Sequence, residues 1–165
     1  LELRFPILRP QQDMPLYATA PAITARHDEL THLLQAEIPA NRKAIEEARA
    51  MGDLRENFEY KSARQRHEYL AARAATLDRD LRRVRPLDPS KIEPTEVRIG
   101  TRVTLRTQDG KQRVLTILGP WESKPEAGVL SYESEVAHAL LGKQAGDAVT
   151  VEGVPSVIAG IAPWV

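Results

Sequence analysis

Eight residues in the middle of the chain, Tyr60, Ala63, His67, Leu70, Ala74, Leu77, Leu81 and Val84, follow one another at alternating steps of three and four. That alternation places all of them on one stripe of an α-helix and defines the seam of a coiled coil, a pattern that the two-residue period of a strand cannot hold on one face. A second seam lies upstream. Ile23, His27, Leu30 and Leu34 step by 4, 3 and 4, and Ile38, Asn41, Ile45 and Ala48 step by 3, 4 and 3, with an extra four-residue step between the runs beside Pro39. One irregularity at a proline predicts a bend in the first helix. Between the seams stands Met51-Gly52-Asp53, and Gly52 is a natural C-terminal stop, so the chain reverses and the two helices pair antiparallel. At about 1.5 Å per residue, the finger is roughly 40 Å long and its tip projects.

Proline and glycine divide the rest. Residues 1–21 contain Pro6, Pro10, Pro15 and Pro21 without a sustained period and read as an extended leader or linker. Residues 22–85 contain a single proline and a single glycine among Ala, Leu, Glu, Arg and Gln, all good helix formers. From Pro86 onward, Pro86, Pro89 and Pro94 break the helix, and β-branched residues then alternate with polar ones over 97–107 and 111–118. The expected fold is therefore α+β: a coiled-coil hairpin over 22–85, its acidic tip at 52–59, followed by a small β-rich domain over 86–165.

Composition narrows the function classes. A chain of 165 residues can bury a core without metal or disulfide staples. There is no cysteine, which excludes disulfides, thiolate zinc sites and cysteine nucleophiles. Basic and acidic residues number 23 each, so no bulk positive field exists to track along duplex nucleic acid. With no apolar run near the eighteen or so residues of a membrane span, a cytoplasmic location is expected and no membrane partner.

Local charge carries more information. Asp53, Glu56 and Glu59 cluster at the turn, and two readings compete for them. Asp53 at a helix start suits an N-cap, with Glu56 and Glu59 complementing the helix dipole. Alternatively the carboxylates are held out at the tip for chemistry. Likewise Arg64, Arg66, Arg73, Arg79, Arg82, Arg83 and Arg85 form either solvated flanks or a track for a phosphate backbone.

The string Glu47-Ala48-Arg49-Ala50-Met51-Gly52-Asp53-Leu54-Arg55-Glu56-Asn57-Phe58-Glu59-Tyr60-Lys61-Ser62-Ala63-Arg64 resembles the tip signature of the bacterial GreA/GreB transcript-cleavage factors, E-A-R-x-x-G-D-L-x-E-N-x-E-Y-x-x-A-R. Pro39 also matches a helix-1 proline of that family. Val129-Leu130-Ser131, Ala139-Leu140-Leu141-Gly142-Lys143, Gly146-Asp147 and Val149-Thr150-Val151 resemble, in order, the motifs of its C-terminal domain. A long tip match plus a second ordered motif is far more specific than a short pattern.

The resemblance implies a finger that enters the secondary channel of bacterial RNA polymerase and stimulates cleavage of backtracked nascent RNA, the polymerase remaining the enzyme. It assigns Asp53 and Glu56 to a second Mg²⁺ beside the polymerase's own metal, a cation supplied in the complex and not held stably by the tip alone. Arg49, Asn57, Tyr60 and Arg64 are the implied contacts with polymerase or with the RNA 3′ end, against the plainer alternatives of packing for Tyr60 and an exposed helix charge for Arg64. The C-terminal part resembles an FKBP-like domain with a short helix at 135–141 that docks on the polymerase rim. Its only large rings, Trp121, Tyr132 and Trp164, offer little for a proline pocket, so no isomerase activity is expected. A finger that must be free to work implies a monomer.

Phe58 stands at a tip position that is usually small in the family, and His138 and Ser134-Glu135 depart from its C-terminal pattern. The alternative function is a secondary-channel regulator or inhibitor that uses the same finger without promoting cleavage. His67, on the seam without partners at metal-ligand spacing, reads as packed between helices.

Overall fold

The computed structural model describes residues 15–53 and 57–165. They form two compact units: Ala20–Arg83, and Val84–Val165 together with the residues up to Thr19.

The first unit is a helical hairpin. Its outgoing arm comprises α1 (Ala20–His32), a turn of π-helix at Leu33–Glu37, and α2 (Ile38–Ala50). Its return arm is α3 (Phe58–Arg83). On α3 the sequence seam is realised from Tyr60 to Leu81: Leu70, Ala74 and Leu77 are buried, and Tyr60, Ala63, His67 and Leu81 are half-buried, whereas Val84, expected to close the seam, lies in a strand just past the helix.

The outgoing seam differs from expectation. Leu33 is 4% exposed whereas Leu34 is 54% exposed, and Arg26 rather than His27 is half-buried. The residues that turn inward are thus Ile23, Arg26, Leu30, Leu33, Ile38, Asn41, Ile45 and Ala48. One step in that series, Leu33 to Ile38, spans five residues, and the Ile38 N–H donates to the Leu33 carbonyl five residues back. Pro39 explains the irregularity. It has no N–H to give and its ring crowds the preceding turn, so the regular ladder cannot continue through it. The widened turn absorbs the defect and keeps Ile38 on the seam.

Leu33, Ile38, Leu70, Ala74 and Leu77 make the hairpin core, with Leu30 against it. Full burial of a leucine contributes about 1.5–3 kcal/mol, which makes these few positions the main source of pairing energy. Asn41 is buried among them, and its Nδ2 donates to the Ala63 carbonyl at 3.2 Å. A satisfied polar group in a seam fixes register, because sliding either helix would orphan it. Across α1 and α3, Arg73 grips Glu29 through two hydrogen bonds of 2.7 and 2.9 Å. Those bonds hold the Glu29 carboxyl below the ordinary glutamate value and raise Arg73.

In the second unit, β1 (Leu16–Ala18) pairs parallel with β2 (Val84–Pro86), Leu16 opposite Val84. A five-stranded mixed sheet follows, built from β3 (Thr101–Thr107), β4 (Gln112–Leu118), β5 (Val129–Ser131), β6 (Ala148–Val151) and β7 (Val154–Pro163) in the order β5-β4-β3-β7-β6. Within this sheet only the β4–β5 pair is parallel. Alternation decides the faces: Thr101, Val103 and Leu105 point inward, while Arg102 and Arg106 face water. The helix α4 (Glu135–Leu140), one residue shorter than expected, packs Ala137 and Leu140 into the same core. Ser134 caps it by accepting the Ala137 N–H at 3.2 Å.

Residues 16–19, expected in the leader, instead belong to this unit, and the helix begins at Ala20, just ahead of Pro21. Glu122 accepts from the Thr19 N–H at 2.6 Å and from its hydroxyl at 2.9 Å. Gly119 allows the close approach: a Cβ there would lie 2.0 Å from the Tyr17 carbonyl oxygen. The remainder of the leader, residues 1–14, lies outside the described residues. Among the described residues no helix is long and apolar enough to cross a membrane.

Candidate functional site at the hairpin turn

The tip is built by the way α2 stops and α3 starts. α2 closes when the Met51 N–H bonds the Ala48 carbonyl at 3.2 Å. Gly52 then takes a φ of 140°, a conformation that side-chain-bearing residues rarely adopt. Asp53 follows, exposed on the turn. Glu56, with Leu54 and Arg55, lies outside the described residues.

The cap of α3 falls on Asn57, four residues beyond the Asp53 that one reading of the sequence offered as N-cap. The helix begins at Phe58, and Asn57 is the residue whose side-chain oxygen accepts the Tyr60 N–H at 3.0 Å. Its amide nitrogen donates to the Ala48 carbonyl at 2.6 Å. Asn57 therefore satisfies an orphan donor at the start of one helix and gives a second donor to the Ala48 carbonyl, which also accepts from Met51, at the end of the other. A carboxylate could perform only the first task, since it has no donor.

One turn further along, Arg49, Tyr60 and Arg64 come together. The Arg49 guanidinium carbon lies 5.8 Å from the Tyr60 ring centroid. Hydrogen bonding from Arg49, then from Arg64, draws the Tyr60 hydroxyl below the ordinary tyrosine value. Three of the predicted contact residues thus form one aromatic and cationic group, and the fourth, Asn57, is the clamp beneath it. Packing and charge are not alternatives for Tyr60, which is half-buried on the seam while two guanidiniums favour the ionised form of its hydroxyl.

Sequence reasoning missed Lys61. Its ammonium sits 5.8 Å from the Phe58 ring centroid. The signal was present as an aromatic–lysine pair three residues apart on a helix, which places the two side chains side by side. Phe58 itself is 82% exposed and Met51 74% exposed, so two large apolar groups flank the acidic turn.

Away from the tip, His67 is half-buried on the seam, and its Nδ1 is buried without a hydrogen-bond partner. Among the described residues no group of three or more His, Cys, Asp or Glu side chains could hold a metal ion. What the tip offers is an exposed carboxylate on a turn held by backbone and side-chain bonds. Such a group can give one hard oxygen ligand to a cation whose other ligands come from elsewhere.

A long helical hairpin with a clamped acidic turn, followed by a small mixed sheet, is the architecture of an α+β two-unit protein whose distinctive chemistry sits at the turn. Residues 16–85 match the family described as transcription elongation factor, N-terminal, and residues 92–157 match transcription elongation factor, GreA/GreB, C-term. Transcription elongation factor GreA of Treponema pallidum is 38% identical over 133 residues, covering 80% of this chain and 82% of its own. GreA of Thermodesulfovibrio yellowstonii is 39% identical over 126 residues, covering 76% and 80%. Among solved structures, that of the transcription factor Gfh1 covers 90% of this chain and 97% of its own at 19% identity, with a TM-score of 0.45. The chain belongs to the GreA/GreB family of transcription elongation factors.

Proposed function

We propose that this chain stimulates the RNA-cleavage activity of a backtracked bacterial RNA polymerase, reaching the active centre through the secondary channel with its hairpin. The polymerase is the enzyme in this reading, and the hairpin supplies groups that its active centre lacks. The observation that carries the proposal is the exposed Asp53 on a turn whose two helices are tied by Asn57. A carboxylate delivered to a reacting phosphodiester has to arrive in a set position, because misplacement by about 1 Å can cost on the order of a hundredfold in rate.

Asp53 and Glu56 are the residues that would hold a Mg²⁺ shared with the polymerase. Such an ion, when bound, offsets charge on the attacking and leaving oxygens of the phosphodiester. Asn57 and Gly52 set the direction of the acidic turn. Arg49 and Arg64, joined through Tyr60, offer two guanidiniums to a phosphate of the extruded RNA, a pairing favoured by charge-assisted hydrogen bonds.

The test is to add the protein to a purified backtracked elongation complex with Mg²⁺ and follow short RNA fragments from the 3′ end. Fragments that depend on the protein and disappear with Asp53→Asn and Glu56→Gln support the proposal. Slowed RNA synthesis with no fragments overturns it in favour of the second reading, a channel-binding regulator or inhibitor. The bulky exposed Phe58 is the feature that favours this second reading, since it changes the bulk of the tip.

A further inference from the structure

Among the described residues, no core contact calls for an aromatic side chain at Phe58. It is 82% exposed on the first turn of α3, outside the seam, and contributes nothing to the hairpin core. At about 100° per residue, Tyr60, Arg64, Lys61 and Phe58 occupy successive positions around one side of α3, an arc of roughly 160° within two turns. The order around that arc is aromatic, guanidinium, ammonium, aromatic. The Lys61 ammonium lies against the Phe58 ring and the Arg49 guanidinium against the Tyr60 ring, each at 5.8 Å from the centroid. Glu59 points to the opposite side of the helix by the same arithmetic.

Aromatic faces interleaved with cations form the surface on which proteins hold single-stranded nucleic acid, rings taking bases and cations taking phosphates. An apolar protein pocket would take Phe58 equally well as a ring or as an aliphatic group, and would gain nothing from a lysine held over it. We propose that this arc binds the extruded single-stranded RNA, with Phe58 stacking on one of its bases and Lys61 and Arg64 meeting the flanking phosphates. The inference rests on the proposed function for the identity of the RNA, and adds a residue that makes binding depend on a base.

The experiment measures equilibrium binding of the full chain to backtracked elongation complexes, with Mg²⁺ withheld so that the RNA stays intact. Two complexes are compared, one with a purine and one with an abasic residue in the extruded segment. Phe58→Ala is expected to weaken binding to the purine complex by roughly tenfold, within the range for loss of one stacked base, and to leave the abasic complex unaffected. Phe58→Trp should retain the purine preference and Phe58→Leu should lose it. Wild-type purine preference in Phe58→Leu would overturn the proposal in favour of an apolar protein pocket, and equal binding of wild type to both complexes would overturn it outright. Base-dependent binding without cleavage on adding Mg²⁺ would support this inference while contradicting the proposed function. Cleavage with no base dependence would do the reverse.

Discussion

Asn57 shows how much one side chain can decide at a turn. Its oxygen starts α3 and its nitrogen ends α2, so the two hydrogen bonds fail differently when the residue is changed. Asn57→Ala removes both, and loss of an N-cap costs about 1–2 kcal/mol. Amide hydrogen exchange over residues 58–61 should accelerate on the order of 5- to 30-fold at that cost. Asn57→Asp keeps the cap and loses the donor, so its exchange should fall between. Equal exchange in all three proteins would show that the clamp does not hold the tip. Tyr60 gives a second handle at this scale. Arg49 and Arg64 favour its ionised form, so the folded pKa lies below the unfolded value. The associated stabilisation is present above the unfolded tyrosine pKa and is lost as pH falls through the lowered folded one. An NMR titration of the tyrosine ring carbons should find Tyr60 below the ordinary tyrosine range. Arg49→Gln should move it upward, and an unmoved titration would contradict the contact.

At the scale of elements, the buried face of the return helix was legible because nothing interrupts its three–four alternation from Tyr60 to Leu81, although the ends of the helix were not. The outgoing helix was legible on the tip side of Pro39, but upstream of it only Ile23 and Leu30 of the four expected positions turn inward. Upstream, Leu33 and Leu34 are adjacent leucines, and periodicity alone cannot choose between them when the turn width changes. Reading the step as four selected Leu34, whereas the π turn makes it five and selects Leu33. Leu33→Ala should therefore destabilise the hairpin by about 2–4 kcal/mol, and Leu34→Ala by less than about 0.5 kcal/mol. Thermal melting followed by helical circular dichroism distinguishes them, and a larger effect at Leu34 would contradict the π turn. The same limit explains the tip. Asp53 and Asn57 are both good N-caps by residue type, and only the position of the first helical turn decides in favour of Asn57. The pairing of β1 with β2 was illegible for another reason, since a three-residue strand has too little pattern to distinguish it from a linker.

For the whole molecule, zero net charge conceals the distribution that matters. Between Ala22 and Arg85 there are thirteen basic and eleven acidic residues, a difference too small to grip a duplex without a partner. Yet Arg49, Lys61 and Arg64 gather within two turns of the helices that flank Asp53, beside two aromatic rings. On the proposed function, local placement rather than total charge would fit the chain to an RNA that another protein already holds. The central claim is that Asp53 helps complete a metal site only when the polymerase supplies the rest of it. Fragment release from a backtracked complex, measured against Mg²⁺ concentration, tests that claim most directly. The wild-type chain should lower the Mg²⁺ needed for half-maximal cleavage, and Asp53→Asn should return it to the value for polymerase alone. An unchanged Mg²⁺ requirement, with fragments released equally by wild type and Asp53→Asn, would contradict the account.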